Sequence, residues 1–123
     1  MKKWLLLATV LFSLLIVATV VVANADMFPR WVKRFIDVPG VDKAGHFILF
    51  GILSFLLNKS VLVLRPNRIP ARLILTVSLL LSIVIGFEEW SQSLFPARTM
   101  SLADLLASYA GVAAFAILAY WTK

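Results

Sequence analysis

Four apolar stretches of roughly twenty residues, at about residues 4–23, 44–64, 71–90 and 102–121, decide what this chain can fold into. A helix of that length, rising about 1.5 Å per residue, crosses the roughly 30 Å hydrocarbon core of a bilayer. In that core every backbone N–H and C=O must be paired within its own segment or in a closed barrel, and barrel strands would alternate apolar with polar residues. These stretches do not alternate. The expectation is a single all-α domain over residues 1–123: a polytopic membrane bundle of four transmembrane helices. With only 15% charged residues and a mean hydropathy of +0.97, the chain has too little polar surface to cover such a core in water.

The first stretch follows Lys2 and Lys3 and ends near Ala23-Asn24-Ala25, which resembles the cleavage site of a signal peptide. A signal-peptide core runs to about 7–15 residues, so the greater length here favours a retained span. Between residues 26 and 43, Phe28, Trp31, Phe35 and Ile36 interleave with Arg30, Lys33 and Arg34. That pattern predicts a short interfacial helix with its rings at headgroup depth, contacting membrane lipid, and ended by Pro39-Gly40. There is no cysteine, hence no disulfide, thiol nucleophile or cysteine-based metal site.

A net charge of +6 would suit nucleic acid, but the basic residues flank the apolar stretches instead of forming a basic and aromatic surface, so no nucleic-acid partner is expected. Their distribution predicts orientation. One side of the bundle holds Lys2, Lys3, Lys59, Arg65, Arg68, Arg72 and Lys123 and no acid; the other holds five basic residues and all six acids. A Lys and Arg bias toward the inner face places both termini in the cytoplasm and the acids outside.

On the outer side the topology gathers three helix ends. Asp42 and His46, four residues apart, share a helix face, so a carboxylate is placed to orient the imidazole. Lys43 stands beside them. Glu88, Glu89 and Gln92 close the third span; adjacent glutamates point about 100° apart on a helix, and Glu89 is the one expected to face the core. Arg98 follows in the connection, and Ser101, Asp104 and Ser108 start the fourth span, where Ala103, Ala107 and Gly111 suggest a small-residue ladder for close helix approach. Read by role, His46, Glu89, Asp42 and Asp104 are candidate catalytic groups, and Arg98, Gln92, Lys43 and Ser101 candidate substrate-binding groups. No cofactor motif is present, and a metal held by His46 and carboxylates has too few ligands in the sequence to be preferred.

These residues, in this order, resemble the VanZ-like family of small bacterial membrane proteins. The matching features are D-K-x-x-H-F-x-x-F at Asp42, Lys43, His46, Phe47 and Phe50, E-x-x-Q at Glu89 and Gln92, and then Arg98, Ser101, Asp104 and Gly111, over about residues 42–114. Ser108 departs from the family's usual asparagine. A hydroxyl keeps donor and acceptor but loses the reach of the amide. The resemblance implies a bacterial inner-membrane location and a link to reduced sensitivity to the glycopeptide teicoplanin, with no assigned reaction for most members.

Three functions fit the residues. The outer polar group is an active site or binding site for a lipid-linked or cell-envelope component, with His46 or Glu89 as general base and Arg98 holding an anion. Alternatively, it is an accessory or structural cluster that only pins the helix ends. Transport ranks last, because no charge lies at the midplane of any span.

Overall fold

The computed structural model describes residues 2–123 as helices joined by short connections, with no strand among the described residues. The helices are α1 (Lys2–Asn24), α2 (Arg30–Ile36), α3 (Val41–Leu64), α4 (Pro70–Ser91) and α5 (Leu102–Trp121), with a 3-10 turn at Gln92–Leu94 continuing α4. Four of them are long and apolar enough to cross a membrane. The chain is therefore a polytopic all-α membrane bundle, with a short helix after the first span.

Local chemistry sets the boundaries. Gly40, at φ 86°, occupies the left-handed region as the N-cap of α3. The helix thus begins at Val41, about three residues before the apolar stretch itself, and takes Asp42 and Lys43 into its first turn. Pro70 starts α4 at a position where its missing N–H is not needed. The Ser101 hydroxyl accepts from the Asp104 N–H at 3.3 Å and caps α5.

The largest interface joins α3 to α5, with α1 packed on α3 and α4 touching both α3 and α5. A Cβ on Gly111 would lie 2.2 Å from the Phe47 carbonyl oxygen, so this close approach requires glycine. The face α5 turns inward carries Asp104, Ser108, Gly111, Val112, Ala116 and Ala119. The predicted Ala103–Ala107–Gly111 ladder is corrected by one position: Ala103 is exposed and Ala107 half-buried. Burying Asp104 and Ser108 among protein groups spares them contact with lipid, whereas alanine meets lipid without cost.

Side-chain hydrogen bonds knit the interior from the middle of α3 toward its C-terminal end. Ser54 donates to the Val112 carbonyl at 2.9 Å, Asn58 to the Ser54 carbonyl at 2.9 Å, and the Thr9 and Ser60 hydroxyls meet at 2.8 Å, tying α1 to α3. Leu53, Leu81, Ile85 and Val112 form the apolar core beside them. Leu11, Leu75, Ile83 and Ile117 stay exposed on the outer faces, as lipid-facing side chains do.

Candidate functional site

At one end of the bundle the C-terminal ends of α1 and α4 meet the N-terminal ends of α3 and α5, with α2 alongside. A cavity of about 790 Å³ opens there. Ile16, Val20, Leu49 and Phe50 of α1 and α3 give it an apolar wall, and Lys43, His46, Arg98 and Asp104 are among the polar groups that line it.

The first polar group is built on the α3–α5 contact. His46, one turn after Asp42, sets its Nε2 3.5 Å from Asp42 Oδ1 and 3.8 Å from Asp104 Oδ2. Its Nδ1 lies 3.1 Å from the Ser108 hydroxyl, which donates in turn to the Asp104 carbonyl at 3.1 Å. The Asp104 side chain is only 9% exposed, and among the described residues no N–H donates to its carboxylate; it faces the Asp42 carboxyl, and Lys43 Nζ stands off at 4.0 Å. Donor atoms of Asp42, His46 and Asp104 all fall within 4.8 Å of one another, a spacing open to a metal ion.

The second group joins α4 to the connection that follows. Glu89, 2% exposed, accepts from the Ser101 N–H at 2.7 Å and from Gln92 Nε2 at 3.0 Å. Gln92 also donates to Glu88 at 3.1 and 3.2 Å. Arg98 donates to Asn24 Oδ1 at 2.8 Å and lies 3.9 Å from Glu88, so the connection is tied back to both α1 and α4.

The residues marked in the sequence are therefore gathered at one end but divided into two groups. Asp42, His46, Asp104 and Lys43 come together on the cavity. Gln92, Arg98 and Ser101 line it too, but their polar groups are already engaged: Ser101 caps α5 and gives its N–H to Glu89. Glu89, expected beside His46 as a base, does not line the cavity, and hydrogen bonds hold both of its oxygens. Its neighbour Glu88 lines the cavity instead.

Three participants carry no site role in the sequence reading. Asn24 binds Arg98 through the packing of α1, which no local pattern reveals. Glu88 pairs with Gln92 at i,i+4, a visible signal. Ser108, notable in the sequence as a departure from a family pattern, is the partner of His46, and its place one turn after Asp104 was the available clue.

Fold and site together define a multi-pass helical membrane protein with a polar, cavity-lining cluster at one end. Compared with protein-family models, with curated proteins and with solved structures, the chain matches none.

Proposed function

We propose that this chain is a VanZ-like protein of the bacterial inner membrane. In this reading both termini are cytoplasmic, and the cavity at the outer end takes a lipid-linked cell-envelope component with an anionic head. The observation that carries the reading is the cavity's mixed lining, with apolar side chains of α1 and α3 (Ile16, Val20, Leu49, Phe50) together with Lys43, His46 and Arg98. Such a lining matches an acyl or prenyl chain that leads into a charged head. His46, flanked by Asp42 and Asp104, lines the cavity where that head would lie.

A purely structural role is favoured only for the Glu89 half, where hydrogen bonds occupy both carboxylate oxygens. A cluster that merely pinned helix ends would give each buried carboxylate an N–H donor at hydrogen-bond distance, and none of the described residues gives one to Asp104. The test is native mass spectrometry of the purified protein with a polyprenyl phosphate or with the uncharged polyprenol. The phosphate should be retained selectively, and Lys43→Gln should weaken its retention severalfold. Equal retention of both lipids, or of neither, would remove the proposed ligand.

A further inference from the structure

The Ser108 hydroxyl has one proton, and it goes to the Asp104 carbonyl, a group that can only accept. The contact at 3.1 Å between Ser108 and His46 Nδ1 is therefore one in which the ring nitrogen donates. A neutral imidazole held this way carries its bare lone pair on Nε2. Two carboxylate oxygens lie 3.5 and 3.8 Å from that atom.

Three electron-rich atoms converging in a largely buried place call for a cation between them. A proton on Nε2 fits poorly, because charge-assisted N–H···O contacts run at about 2.7–2.9 Å and both separations are well beyond that. An ion fits better. Nitrogen and oxygen ligands held at about 2.0–2.2 Å from one centre stand roughly 3.0–3.6 Å from each other; the two His46 separations, 3.5 and 3.8 Å, lie at the top of that range and just beyond it.

We infer that Asp42, His46 and Asp104 form a binding site for a divalent transition-metal ion, of the Zn²⁺ or Mn²⁺ kind, whose open coordination positions face the cavity. One imidazole and two carboxylates suit these ions better than Mg²⁺ or Cu⁺, and three protein ligands leave room for water or a phosphate oxygen. Two further observations agree. The Asp104 side chain is nine-tenths buried, receives no N–H from the described residues and faces the Asp42 carboxyl and His46 Nε2. The Nδ1–H to Ser108 supplies the outer hydrogen bond that fixes the tautomer of a metal-bound histidine.

The surroundings favour a cation as well. Carboxylates outnumber Lys and Arg on the cavity lining, five to three. Lys43, 4.0 Å from Asp104 and with its side chain 56% exposed, is free to swing outward and meet the anionic head that an ion would bind. The inference rests on the reading of the cavity as a ligand site and names what would hold the phosphate there.

The test is titration of the purified protein in detergent with Mn²⁺, followed by electron paramagnetic resonance, and with Zn²⁺, followed by melting temperature. One ion per chain should bind and raise the melting temperature. Asp104→Asn and His46→Gln should abolish binding, Ser108→Ala should weaken it about ten- to a hundredfold, and Lys59→Gln, near the other end of α3, should leave it unchanged. The ¹⁵N shift of His46 Nε2 should move on metal addition, a readout independent of variant folding. No bound ion at millimolar concentration, or equal binding by Asp104→Asn, would overturn the site. Because no lipid is present, the two claims fail separately. Metal binding without lipid retention overturns the proposed ligand alone, and phosphate retention unaltered by a chelator overturns the metal's part in it.

Discussion

Glu89 and Asp104 are both buried acids at the same end of the same bundle, and they differ in what meets their oxygens. Glu89 is surrounded by donors: a backbone N–H at 2.7 Å and an amide at 3.0 Å. Asp104 faces a second carboxylate, a histidine nitrogen and a distant lysine, with no N–H donating to its carboxylate. Satisfied buried polar groups hold a fold together, whereas unsatisfied ones carry a cost that is retained where something else uses them. Of one polar cluster, half therefore reads as scaffold and half as site.

The comparison breaks most easily at its stable half. Glu89→Ala removes the acceptor for Ser101 and Gln92 at once, and hydrogen bonds to a charged group are worth about 1.5–3 kcal/mol. The variant should lose about 2–3 kcal/mol of stability, read as a lower melting temperature in detergent. A neutral result would mean that water or lipid replaces those bonds readily and that Glu89 is no scaffold.

A smaller effect is expected at the edge of that half. Arg98→Gln loses an ion pair stretched to 3.9 Å and weakens the bond to Asn24. Side-chain pairs of this kind contribute about 1 kcal/mol or less when partly solvated. The melting temperature should fall only slightly, while a cysteine pair placed at positions 24 and 98 should crosslink in membranes. Absence of that crosslink in folded protein would detach α1 from the cavity.

Much of the architecture was legible in the sequence, because twenty-residue apolar stretches leave few alternatives in lipid. The gathering of Asp42, His46 and Asp104 followed from antiparallel spans of similar length. Three features did not follow. The start of α3 depends on the left-handed Gly40 and not on hydropathy, so the apolar pattern alone began the helix late. The inward face of α5 is set by burial of Asp104 and Ser108, and an alanine pattern read alone pointed one residue away. The division of the cluster depends on the turn after Gln92, which aims the Ser101 N–H at Glu89. A connection of that kind has no periodicity from which to read its course.

The pairing of His46 with Ser108 was hidden for a different reason. Positions 46 and 108 lie on separate helices, and only the approach at Gly111 brings them within 3.1 Å. From the sequence the metal ligands looked too few, since Asp42 and His46 share one helix and the third donor arrives from another.

The most direct measurement is the melting temperature of Asp104→Asn beside the wild type, both free of added metal and lipid. The substitution removes one of two facing carboxylates, against a helix-dipole loss of about 0.3–1 kcal/mol, so the variant should be as stable as the wild type to within about 1 kcal/mol, or more stable. A fall as large as that of Glu89→Ala would contradict the account and make Asp104 a structural pin like its neighbour.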